Sequence, residues 1–171
     1  MEIYLDNCAT TKVCPEAVEA AMKAMAEDYG NPSSLHRMGL RAERLLTGTR
    51  KAAAALLGCD YGCIYLTGGA TDSNNIAIQG AVRARARMGK TVVTTTVEHP
   101  SVAETVTALE KGGYTVKRGA PRPDGQFAPE DFLEAVDGDT VLLSMMMVNN
   151  ELGTILPYEK VVNEKKKRFP D

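Results

Sequence analysis

The sequence predicts an α/β fold with a mainly parallel sheet covered by helices. Three observations predict it. Short strand-like runs such as Thr91–Thr96 alternate with segments of helical period such as Pro100–Lys111. The run Val141–Met145 is apolar except for Ser144, as in a strand buried on both faces. No repeat of solenoid length and no low-complexity block interrupts the alternation.

The elements follow in order. Pro15 opens a helix that Gly30 closes, with Ala17, Val18, Ala21, Met22 and Met25 on one face. A longer helix runs from about Ser34 to Leu57, with Gly58 at its C′ position. Cys63–Thr67 reads as a strand, followed by Gly68-Gly69 and a helix reaching about Met88. Thr91–Thr96 is the next strand and Pro100–Lys111 its crossover helix. Tyr114–Lys117 is a strand, Pro121–Gly125 a turn, Pro129–Val136 a short helix and Val141–Met145 a strand. Tyr158–Arg168 is helical again.

A chain of 171 residues suffices for one compact domain. The formal charge of −2 gives no electrostatic reason to expect nucleic acid or a membrane surface as partner. The basic run 165–168 closes a helix, where it solvates a face and complements the dipole. No apolar stretch approaches the roughly 20 residues of a membrane span, and the first residues lack a signal-peptide pattern, so a cytoplasmic location is expected. The four cysteines, Cys8, Cys14, Cys59 and Cys63, are then expected to be free, buried or half-buried structural thiols. A metal or thiol-redox role for Cys59 and Cys63 lacks an evident second ligand pair, since His36 and His99 are the only histidines.

In parallel sheets, functional residues gather in loops at the carboxyl ends of the strands. Three such loops carry chemistry. Thr67–Asn75 leads two glycines into a helix start, which suits a phosphate through free backbone N–H groups, with the Thr71 hydroxyl as a further donor. The plainer reading is an ordinary turn capped by Asp72 or Ser73. Val97–Ser101 sets His99 between a strand and a helix, in a catalytic or a structural role. Met147–Thr154 holds Asn149 and Asn150, which either form a turn or hydrogen-bond a planar ligand. From the residues alone, the reading ends at an α/β protein with a phosphate-bearing ligand.

Together, Thr67-Gly68-Gly69-Ala70-Thr71-Asp72-Ser73-Asn74-Asn75, Glu98-His99-Pro100-Ser101-Val102 and Val148-Asn149-Asn150-Glu151-Leu152-Gly153 resemble the motifs of cysteine desulfurases, in the class V aminotransferase family. Tyr4–Thr11 and Gly30–Ser34 match as well, and the form Gly-Ala-Thr-Asp-Ser-Asn-Asn is closer to the group that serves iron–sulfur scaffold proteins. The resemblance implies a pyridoxal 5′-phosphate (PLP) enzyme of fold type I. Residues 1–14 would be an N-terminal segment and 15–171 part of its large, PLP-binding domain. By resemblance, Ala70 and Thr71 hold the cofactor phosphate. His99 stacks on the ring and moves protons, and Asn150 bonds the ring hydroxyl or the substrate carboxylate.

The implied reaction turns L-cysteine into L-alanine and leaves a persulfide on an enzyme cysteine, for transfer to a sulfur acceptor or iron–sulfur scaffold protein. A homodimer is implied too. The family's Schiff-base lysine, ring-nitrogen aspartate, substrate arginine and persulfide cysteine are expected beyond Asp171, so residues 1–171 alone are expected to be inactive. None of the ten lysines or four cysteines fits those motifs. Gly68 stands where serine is commoner, and Met147 where histidine is often found. The alternatives are a selenocysteine lyase or other class V PLP enzyme, and a non-catalytic phosphate-binding α/β module.

Overall fold

A computed structural model describes residues 1–168. Asp171 lies outside the described residues, as does the end of the expected 15–171 domain. The chain divides into two compact units, Met1–Leu66 and a second from Thr67 onward.

The first unit is helical. Helix α1 (Pro15–Ala26) starts where proline presets φ, and it ends short of Gly30. None of its residues is buried, so the apolar face at Val18, Met22 and Met25 is exposed. Helix α2 (Arg37–Leu57) is capped by His36, whose Nδ1 accepts the Gly39 N–H at 3.3 Å. It closes at Gly58 in the left-handed region (φ 66°, ψ 34°), a conformation that costs glycine nothing.

The expected strand at 63–67 does not form. Tyr61–Cys63 is one 3-10 turn capped by Asp60, and residues 64–67 have no ladder partner among the described residues. A strand exists only through its neighbour, and the sequence of one strand does not supply one. The cysteine expectation fails likewise: all four thiols are free, but exposed rather than buried.

The second unit holds the sheet. Its three strands, β1 (Thr91–Thr95), β2 (Thr115–Gly119) and β3 (Thr140–Leu143), run parallel in the order β2-β1-β3. Helix α3 (Ala70–Ala84) precedes β1, α4 (Pro100–Lys111) links β1 to β2, and α5 (Pro129–Leu133) links β2 to β3. Helix α6 (Tyr158–Arg168) follows. The Pro121–Gly125 turn closes with the Gly125 N–H on the Arg122 carbonyl at 2.8 Å.

Every residue of central strand β1 is buried, and its alternating side chains feed two cores. Val92 packs with Ile78 and Val82 of α3, Val102 and Val106 of α4, and Val141. Val93 packs with Phe127, Phe132 and Leu133 around α5, and with Leu156 and Val161 of the α6 region. Helices therefore cover both faces, as the apolar runs require.

Strand β2, which has no strand on its other side among the described residues, is fastened by charge. Arg118 forks onto Glu110 of α4 at 3.0 and 2.7 Å. Lys117 donates to the Ala135 carbonyl at 2.9 Å and pairs with Asp137 at 2.7 Å. The Arg118 hydrogen bond holds the Glu110 carboxyl below the usual range. The Lys117 bond, helped by the Thr140 hydroxyl, does the same for Asp137. Charges on an edge strand also oppose pairing with another chain.

Candidate functional site

Helix α3 begins without a side-chain cap, because the N-cap residue is Gly69. Neither Asp72 nor Ser73 takes that place, contrary to the plainer sequence reading. The Ser73 hydroxyl instead meets Thr67 Oγ1 at 2.7 Å, and Thr67 Oγ1 donates to the Gly69 carbonyl at 3.0 Å, which fixes the turn. The first backbone N–H to find a helical acceptor is that of Ser73, on Gly69 O. The N–H groups of Ala70 and Thr71 have no acceptor among the described residues, and both residues are exposed. The Thr71 hydroxyl is equally uncommitted. An uncapped, glycine-led helix start of this kind presents donors to an anion.

His99 is the N-cap of α4 and is exposed. Its Nδ1 accepts the Ser101 N–H at 3.1 Å and lies 2.8 Å from Ser101 Oγ. Ser101 is buried, and its hydroxyl accepts from Asn74 Nδ2 at 2.8 Å. One turn further along, Thr105 Oγ1 donates to Asn75 Oδ1 at 2.9 Å. These two bonds join the first two turns of α3 to those of α4, which brings the start of α3 beside the His99 loop.

The third loop is tied to the second. Glu98 Oε1 accepts from Thr95 Oγ1 at 2.9 Å and from the Met146 N–H at 2.8 Å. Asn149 is buried and donates to the Val97 carbonyl at 3.1 Å, while its Oδ1 accepts the N–H groups of Glu151 and Leu152. Its neighbour Asn150 is exposed, and its side chain makes no hydrogen bond to a described residue. The pair thus divides the two roles the sequence left open: Asn149 builds the turn and Asn150 is free to meet a ligand.

Of the four residues singled out from sequence, His99 and Asn150 therefore lie just past the carboxyl ends of β1 and β3, and Ala70 and Thr71 open α3, which hydrogen bonds tie to α4. Sequence reasoning passed over Asn74, Glu98 and Ser101, which join these segments, and left Asn149 between a turn and a ligand contact. The signal was their place inside the same three motifs, but a partner 27 or 48 positions away is not visible in one sequence. A cavity of about 560 Å³ lies elsewhere. It runs along the free edge of β3, lined by Arg85, Leu142, Val161 and Lys166, and includes none of the four residues. Among the described residues no three metal-ligating side chains gather around Cys59 and Cys63 or anywhere else. None of their helices is long and apolar enough to cross a membrane.

The family profile described as aminotransferase class-V matches residues 3–168. A NifS/IcsS protein homolog of Lactobacillus delbrueckii subsp. bulgaricus is 48% identical over 93% of this chain and 41% of its own length. The cysteine desulfurase IscS of Methanosarcina thermophila is 39% identical over 93% of this chain and 39% of its own. Among solved structures, a NifS-like protein superposes with a TM-score of 0.93 at 36% identity, over 99% of this chain and 47% of that one. A structure described as SspA in complex with cysteine superposes at 0.88 with 31% identity, over 96% of this chain and 48% of that one. The chain thus spans about two fifths of the length of the curated relatives it matches.

Proposed function

The chain belongs to the aminotransferase class-V family, and from that premise we propose that the complete protein is a PLP-dependent cysteine desulfurase. It converts L-cysteine to L-alanine and passes the sulfur, as a persulfide, to an acceptor such as an iron–sulfur scaffold protein. A homodimeric, cytoplasmic enzyme is part of the proposal. The observation that carries it is the uncapped start of α3, with Ala70 and Thr71 exposed, joined through Asn74 and Ser101 to His99.

The residues present fit PLP. The N–H groups of Ala70 and Thr71 and the Thr71 hydroxyl are uncommitted donors, the chemistry a phosphate dianion requires. The exposed ring of His99 offers a flat face for stacking, and the free amide of Asn150 can donate to a ring oxygen or to a substrate carboxylate. When bound, PLP supplies the electron sink. This chain's residues bind and orient it, and hold a proton at the His99 ring. Asn149 and Glu98 keep the loops bearing His99 and Asn150 in register.

The test is direct. The purified complete protein should carry the yellow absorbance of bound PLP, lost on borohydride treatment, and should release alanine from L-cysteine with sulfur recovered as sulfide or persulfide. A preparation that neither retains added PLP nor releases alanine sinks the reading. Faster alanine release from selenocysteine would move it to selenocysteine lyase.

A further inference from the structure

We infer that Ser101 and Asn74 are positioning residues that fix the tautomer of His99, so that the ring keeps its proton on Nε2 and acts there as a donor. Its functional meaning rests on the PLP reading above; the tautomer itself does not.

The hydrogens leave little choice. The Ser101 N–H points at His99 Nδ1 from 3.1 Å, so that nitrogen must present a lone pair. A proton on Nδ1 would face the N–H head-on. Ser101 Oγ, 2.8 Å from the same nitrogen, accepts from Asn74 Nδ2 at 2.8 Å, which leaves its own hydrogen for Nδ1. The order Asn74 N–H to Ser101 O–H to His99 Nδ1 is thus directional. A neutral imidazole carries one proton, and with Nδ1 bare that proton is on Nε2. Nε2 makes no hydrogen bond to a described residue, so it is the nitrogen left for a ligand.

Burial makes the relay specific. Ser101 is 8% exposed, so water competes weakly for its hydroxyl. His36, the other histidine of the chain, also caps a helix through Nδ1, but its one hydrogen bond among the described residues is from the Gly39 N–H at 3.3 Å. The doubled support at His99 exceeds what capping needs. It also restricts the chemistry, because a neutral ring protonated at Nε2 donates a hydrogen bond there and has no lone pair at that nitrogen to take a proton.

The experiment uses the complete protein labelled with ¹⁵N-histidine, with the His99 signals assigned by their loss in His99→Gln. Long-range ¹H–¹⁵N correlation at neutral pH should show a bare Nδ1 and a protonated Nε2, before and after PLP is added. Ser101→Ala should lower the tautomer ratio roughly 2- to 10-fold, the worth of one neutral hydrogen bond. Asn74→Asp should do the same, because a carboxylate draws the Ser101 hydrogen away from the ring. Ser101→Thr, which keeps the hydroxyl, should restore the parent pattern. Thr105→Val, which breaks the neighbouring α3–α4 bond, should leave it unchanged.

A parent spectrum with Nδ1 protonated or averaged overturns the inference. So does an unaltered ratio in both Ser101→Ala and Asn74→Asp, or an equal change in Thr105→Val. PLP retention is read on the same samples. A protein that fails to hold PLP but shows the bare Nδ1 sinks the cofactor reading and supports the tautomer. One that holds PLP with the wrong tautomer does the reverse.

Discussion

The side-chain amide of Asn149 donates to the main-chain carbonyl of Val97 at 3.1 Å, tying the loop after β3 to the loop after β1. Because its carbonyl oxygen also receives the Glu151 and Leu152 N–H groups, one buried residue holds a turn and a loop together. Asn149→Ala in the complete protein should therefore lose about 1–3 kcal/mol of stability and loosen the Glu151 and Leu152 amides. Thermal unfolding with hydrogen exchange measures both. An unchanged melting temperature with undiminished protection would refute the role, and Asn150→Ala should leave both nearly as in the parent.

Thr71→Ala should weaken PLP retention more than His99→Ala does. The first removes a hydrogen bond to a charged phosphate, typically worth ~1.5–3 kcal/mol, or about one to two decades in affinity. The second removes a stacking face and leaves the anchor in place. Fluorescence titration of the apo complete protein gives both constants, and equal affinity of Thr71→Ala and the parent contradicts the assignment of Thr71.

Acid should loosen the β2 edge. Glu110 and Asp137 are both held below their ordinary values of 4.5 and 3.8, through Arg118 and Lys117. The folded state therefore binds fewer protons than the unfolded chain in the carboxylate range. Their contribution is complete above the ordinary values and is lost as pH falls through the lowered ones. Both groups are exposed, so the effect is small and sensitive to salt. The double variant Glu110→Gln, Asp137→Asn should melt with a flatter acid limb than the parent. Parallel limbs would show that these pairs contribute nothing to the pH dependence.

Gly119 should not tolerate a side chain. A Cβ there would sit 2.5 Å from Cε1 of Phe132, a fully buried ring whose centroid is 5.8 Å from that of Phe127. Gly119→Ala should destabilise by about 1–3 kcal/mol through overpacking, and Phe132→Ala by roughly 3–5 kcal/mol through the cavity it leaves. In the double variant, where the ring is gone, the penalty for the added methyl should largely vanish. Additive losses in that cycle would refute the contact.

Residues 1–171 on their own should self-associate. No residue of α1 is buried, and Leu35, Leu56 and Leu57 are among the exposed apolar side chains of the first unit. Exposed apolar side chains that gather into a patch favour association. Light scattering over a concentration series should show dimers or larger species. A single monomer that binds no apolar dye would count against it.

The sequence by itself determined the alternation of strands and helices, the glycine that ends α2, and the three motifs that carry the family resemblance. These are local properties: period, turn chemistry and residue type act within a few positions, so one chain displays them. It also marked Ala70, Thr71, His99 and Asn150. It misjudged residues 63–67 and the burial of the four cysteines, because a strand and a buried thiol both depend on a neighbour brought in from elsewhere in the chain. The tertiary structure alone decided that Asn149 builds while Asn150 stays free, and that Ser101 and Asn74 support His99. Those outcomes include hydrogen bonds between residues 27 and 52 positions apart, and folding alone closes such distances.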